Sequence, residues 1–214
     1  MVEMIGVLAV VAILTAMLIP KVFQTINAAR VNAAASAIGT VKNAVATHYG
    51  KFGGFADSTG TLFIPSPSLE DPLSTDPADI DAQNFDTGVL LTDGLLDKRF
   101  SVKLGDQLPT NLIRIRQIVA AIDATAITEA SANYDFDGVA ADVDTNDGAL
   151  VCEAVITGVT AADARALKER IDGSDITGVA ILPALGAAAT QGRVKYPPIG
   201  PGAGGTVLIY INHR

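Results

Sequence analysis
The chain has 214 residues, 49% of them hydrophobic, with 23 acids against 15 Lys and Arg and a net charge of −8. That charge opposes nonspecific nucleic-acid binding, which depends on Lys and Arg clusters against phosphate, so no nucleic-acid partner is expected. The single cysteine, Cys152, excludes an intrachain disulfide and reads as a small buried hydrophobe.

Residues 1–20 read MVEMIGVLAVVAILTAMLIP. One acid, Glu3, heads an apolar run, and Pro20 closes it. From Met4 to Ile19 there is no charge, and Val22 and Phe23 extend the run past Lys21. A membrane span needs about 20 apolar residues, so the stretch is slightly short for one. A secretory signal peptide would have basic residues before its apolar core and small residues after it. Here an acid precedes the core and IPKVF follows it. A carboxylate in lipid costs about 3 kcal/mol or more unless neutralised, so Glu3 asks for a partner, most naturally on another subunit. The alternative leaves Glu3 solvated at a membrane interface.

Residues 21–52 are rich in alanine, the strongest helix former. Phe23, Ile26, Ala34, Ile38, Val41 and Val45 recur at helical spacing. The first fifty residues therefore predict one long helix, apolar all round in its first half and amphipathic in its second. Pro20 lacks an amide donor and clashes with the preceding turn, which predicts a bend or local opening there. An all-round apolar helix must be buried in lipid or among other chains. Candidate helix-packing residues are Val7, Val10, Val11, Leu14, Leu18, Phe23 and Ile26. Gly50, Gly53 and Gly54 are positioned to end the helix. Tyr49, Phe52 and Phe55 stand where they would pack that end against the rest of the chain.

Residues 56–88 are rich in Asp, Ser, Thr and Pro and read as a loop region. Residues 87–98 form a candidate short helix, and FSVKL (100–104) alternates like a strand. LIRIRQI (112–118) also alternates, with a helix as the alternative, and ALVCEAVIT (149–157) reads as a buried strand. Thr160 is a helix cap, Asp163 sits in the first turn and Gly173 ends that helix, with Ala164, Leu167 and Ile171 facing the core. GVAILPA (178–184), GRVKYP (192–197) and TVLIYI (206–211) complete a set of short strands. The predicted fold is α+β: a long bent N-terminal helix, its first half apolar, packed through its second half on a C-terminal antiparallel sheet. The expected organisation is a hydrophobic segment 1–25, its amphipathic continuation 26–54, and a head spanning 55–214.

Residues 135–148, DFDGVAADVDTNDG, pose a choice. Asp142, Asp144 and Asn146 alternate, and Glu153 is the twelfth position counted from Asp142. Calcium takes six to eight oxygens, which such alternation supplies. Against this, Asp147 stands where a calcium loop needs glycine, and the strand ALVCEAVIT would draw Glu153 away. An ordinary Asp/Asn turn is the favoured reading. His48 and His213 lie far apart in sequence, with no nucleophile pattern, phosphate loop or zinc spacing, so catalysis is not expected.

The N-terminal 52 residues resemble the conserved helix of type IV pilins and of type II secretion pseudopilins. The matching pattern is a short run ending in Glu, an apolar stretch of fixed length, then Pro: Glu3 to Pro20 here. In that family the acid is the fifth mature residue; here it is the third, so a leader and two further residues are expected to precede it. The usual mid-segment glycine is missing near Ala12 and Ile13, and so is the C-terminal disulfide of many pilins. The resemblance implies that Glu3 neutralises the terminal amine of a neighbouring subunit during assembly. It implies a bacterial inner-membrane monomer that assembly machinery incorporates into an extracellular filament of identical copies. Some pseudopilins bind calcium, which keeps that ion as the one candidate cofactor. Charge placement points the other way on orientation. Lys21 and Arg30 follow the apolar run and would by themselves put the C-terminal side in the cytoplasm. The alternatives to a pilus subunit are a secretion pseudopilin and a single-pass membrane-anchored binding protein.

Overall fold
The computed structural model describes residues 2–57, 59–62, 83–105, 111–117, 134–136, 149–176, 179–180 and 182–213. Helix α1 runs without interruption from Val2 to Phe52. The helix continues through Pro20, so the opening expected there is not present. Proline removes one hydrogen bond, and the surrounding turns of strong helix formers carry the segment across. Gly53 closes the helix at φ 72°, and its amide donates to the Tyr49 carbonyl at 2.8 Å. Left-handed backbone of this kind suits glycine at a helix C-terminus.

Only the second half of α1 is packed. Val31, Ala34, Ile38, Val41, Val45 and His48 are buried, three and four residues apart, so they form one stripe along the helix. That stripe meets β6 and a second helix, α2 (Ala161–Asp172). Thr160 caps α2, its hydroxyl accepting from the Asp163 amide at 3.2 Å, and Ala164 and Leu167 are buried. Ile171 packs against the same core as expected.

The sheet contains β1 (Leu112–Gln117), β2 (Leu150–Val159), β5 (Val194–Lys195) and β6 (Gly205–His213) in the order β1-β2-β6-β5, antiparallel throughout. A separate two-stranded ribbon pairs β3 (Asp175–Ile176) with β4 (Val179–Ala180). Strand residues alternate between faces. Ile113, Ile115, Cys152, Ala154, Ile156, Ile209 and Ile211 join the core beneath α1. Arg114, Glu153 and Tyr210 occupy successive register positions on the opposite face. Tyr134 and Phe136 cover that face.

Three local expectations differ. The segment 87–98 holds a π-helical turn, Asp86–Leu90, followed by turns. FSVKL is not a strand: Phe100, Val102 and Leu104 are buried with no ladder partner, so the alternation records which side chains point inward, not pairing. Among the described residues of 178–184, the strand is Val179–Ala180 and 182–184 are not in a strand. The π turn also subdivides the expected loop region 56–88, of which 63–82 lie outside the described residues.

Candidate functional site: the protruding apolar rod
The helix enters the head at Val31, and residues 3–30 are exposed along its whole circumference. At about 1.5 Å per residue this free rod is about 42 Å long. Seventeen large hydrophobic side chains are exposed among the described residues, and fourteen of them lie between Met4 and Ile26. They are 42–73% exposed. Fully burying one such side chain contributes about 1.5–3 kcal/mol. A patch of this size on a folded chain marks an interaction surface with protein or membrane. The helix is long and apolar enough to cross a membrane, with a mean hydropathy of 2.4 over its most apolar window.

Every residue predicted for helix packing lies on this rod: Val7, Val10, Val11, Leu14, Leu18, Phe23 and Ile26 are all exposed. The head uses none of them. Glu3 is exposed in the first turn of α1, where a carboxylate favours the positive end of the helix dipole. Pro20 lies seventeen positions further on, about 25 Å along the axis. The one hydroxyl between Met4 and Ile19, Thr15 Oγ1, donates to the Val11 carbonyl at 2.8 Å. Beyond Pro20, Thr25 Oγ1 makes the same bond to the Lys21 carbonyl at 2.9 Å. Both hydroxyls are thereby turned into the helix, which leaves Glu3 as the polar handle at one end of an apolar stem that runs from Met4 to Ile19.

The head end of α1 is anchored by polar as well as apolar contacts. His48 is fully buried, with Nδ1 3.0 Å from Asp93 Oδ2 and Nε2 3.1 Å from the Ala56 carbonyl. Phe85 stands edge-on to His48 and to Phe55, and Phe55 edge-on to Tyr49. The aromatic residues at the helix end thus pack α1 onto the head. Buried Asp86 accepts from the amides of Phe100 and Ile113, tying the π turn to β1. Burial pushes its carboxyl up, and the two amides and Arg99 oppose the rise.

The acid that the less favoured calcium reading would use, Glu153, is engaged elsewhere. Glu153 is fully buried on β2; Arg114 Nη2 and Arg116 Nε lie 2.8 and 2.7 Å from its Oε1. Tyr134 Oη donates to Oε2 at 2.7 Å. Burial works against ionisation, but Arg116, Arg114, Lys195 and the Tyr134 hydroxyl hold the carboxyl at about 2. With two guanidiniums on one carboxylate oxygen and the Tyr134 hydroxyl on the other, Glu153 is engaged as a counter-ion within the head. Asp142, Asp144 and Asn146 lie outside the described residues. Among the described residues no cluster of His, Cys, Asp and Glu is arranged to hold a metal. Cys152 is buried as expected, and burial beside Glu153 and Asp86 raises its thiol well above the usual range.

Lys195 completes this buried group, its Nζ 4.2 Å from the centre of the Tyr134 ring. Burial, opposed by Glu153 and reinforced by Arg116 and Arg114, lowers the ammonium to about 7. The alternation of LIRIRQI places Arg114 and Arg116 on one face, but nothing in that segment identifies Glu153 as their counter-ion. No family profile matches the chain, and no curated protein or solved structure matches it either.

Proposed function
We propose that this chain is the structural subunit of a type IV pilus-like filament, polymerising through its N-terminal rod. The observation that carries this reading is the division of α1: the head buries a stripe from Val31 to His48 and leaves the large apolar side chains from Met4 to Ile26 exposed. Such a rod needs a second environment. In the monomer that environment is the inner membrane, with Lys21 near one interface and the head outside the bilayer. In the filament it is a bundle of sister rods.

Lipid tails are as apolar as leucine, so leaving lipid for a bundle gains little from the hydrophobic effect itself. The gain comes from close packing and from polar pairing. Glu3 supplies the second term. A carboxylate out of water is costly alone and is offset when matched to an ammonium, and the amino terminus of a neighbouring copy has the right charge. Head-to-tail contacts of this heterologous kind produce open helical polymers from one chain. The acidic heads then form the water-facing surface.

The test is Glu3→Ala in the full chain. Membrane insertion should persist, because one small apolar residue replaces the acid. Filament recovered from sheared cell surfaces and imaged by electron microscopy should fall sharply. Normal filament yield from the variant would remove the pairing role. Wild-type chains found only as isolated membrane-spanning units in working cells would remove the filament itself.

A further inference from the structure
The polymer reading leaves open how heads that each carry excess negative charge come to lie side by side. A cleft of about 600 Å³ opens where α1, the end of α2 and the end of β6 meet. Lys42, Arg193 and His213 line it, over a floor that includes Phe136 and Tyr210. The two rings meet at 4.6 Å between centres, and Tyr210 Oη is bonded to His213 Nδ1. Lys42 and Arg193 are exposed, and neither side chain has a hydrogen-bond or ion-pair partner among the described residues.

The acid of the cleft does not balance them. Asp172 Oδ2 accepts from Lys168 Nζ at 3.0 Å and from the Val194 amide at 3.0 Å, while Oδ1 accepts from the Arg193 amide at 3.0 Å. Lys168 is itself buried and also donates to the carbonyls of Gln191 and Val194. The Asp172 charge is thus spent inside the head, and among the described residues the lining of the cleft is left basic on a chain of net charge −8.

We propose that this cleft receives a carboxylate-bearing surface of a second copy of the chain in the filament. The inference rests on the polymer reading given above. Charge complementarity selects the occupant: an identical copy offers 23 acids against 15 bases, so its surface supplies anions for Lys42 and Arg193, which have none paired to them among the described residues. Position agrees with it. Lys42 lies on the exposed face of α1, the same helix that carries the rod, so copies aligned along their rods bring heads to this side. The contact sets the register between heads and suppresses like-charge repulsion, the usual roles of complementary charge at an interface.

The experiment uses full-length chains, nitrogen-isotope-labelled and unlabelled, mixed in membranes and co-assembled into filaments. A carbodiimide then couples amines directly to carboxylates in contact, and mass spectrometry reads the linked peptides. The expected result is Lys42 joined to an Asp or Glu in pairs of mixed isotope. Links from Lys42 confined to one isotope, or a Lys42 left unlinked while other lysines join copies, would overturn the contact and leave the polymer standing. Absence of any sedimentable polymer would overturn both readings. In parallel, Lys42→Glu with Arg193→Glu should lower sedimentable filament about tenfold at physiological salt, and Lys42→Arg should retain it. An unchanged yield from the charge-reversed chain would also overturn the contact.

Discussion
Arg116 Nε lies 2.7 Å from Glu153 Oε1, with both side chains almost wholly removed from water. Arg114 shares the same oxygen from two positions along β1, and Tyr134 holds the other. The sheet face away from α1 therefore has a charged centre under an aromatic cover, where an amphipathic sheet would ordinarily place solvent.

The first expectation concerns that centre. Removing one member of a buried ion pair strands the remaining charge and typically costs about 3–5 kcal/mol. Glu153→Gln keeps the volume and deletes the anion that three cations share. Denaturant unfolding of the full chain in mild detergent, followed by near-ultraviolet circular dichroism, should show the head weakened by about 3 kcal/mol or more. A loss below about 1 kcal/mol, the scale of an exposed pair, would mean that the cluster is solvated.

Lys195 gives the centre a pH signature. Its ammonium is lowered to about 7 in the fold, against 10.5 for an ordinary lysine. Between those values the unfolded chain binds the extra proton, so stability rises with pH across that window. The head should accordingly melt at a higher temperature at pH 9 than at pH 7. Lys195→Met should flatten this rise. Glu153 acts at the other end of the scale, because a carboxyl held at about 2 against 4.5 contributes stability above pH 4.5 that is lost as pH falls towards 2. A wild-type midpoint that falls steadily from pH 7 to pH 9 would refute the assignment for Lys195.

A third expectation separates the two halves of α1. Ile38 is buried against the head, and its replacement by Ala should cost about 2–5 kcal/mol of head stability. Leu14 is exposed on the rod, and Leu14→Ala should leave the same unfolding transition within about 0.5 kcal/mol. Comparable destabilisation by both changes would mean that rod and head form a single cooperative core.

Features written in local periodicity were legible before any fold was known. The apolar length from Met4 to Ile19, the stripe of Ala34, Ile38, Val41 and Val45, the Thr160 cap with its Gly173 stop, and the strands around Leu112, Leu150 and Thr206 each depend on residues within a few turns of one another. Their hydrogen bonds and burial follow from spacing, so reading the spacing suffices. FSVKL shows the limit: Phe100, Val102 and Leu104 turn inward as the pattern requires, yet Asp86, fourteen residues earlier, takes the Phe100 amide that a neighbouring strand would have used. Glu153 shows it more sharply. In the chain it stands near a run of aspartates and resembles a calcium ligand, whereas the β1–β2 register sets it opposite Arg114 and fixes it as a counter-ion. The sequence by itself determined that a greasy rod precedes an α+β head, because helix and strand periods are properties of neighbours. Only the tertiary structure decided which charges meet, which acids are consumed internally and which bases face outward, because those pairings join residues tens of positions apart and depend on strand register.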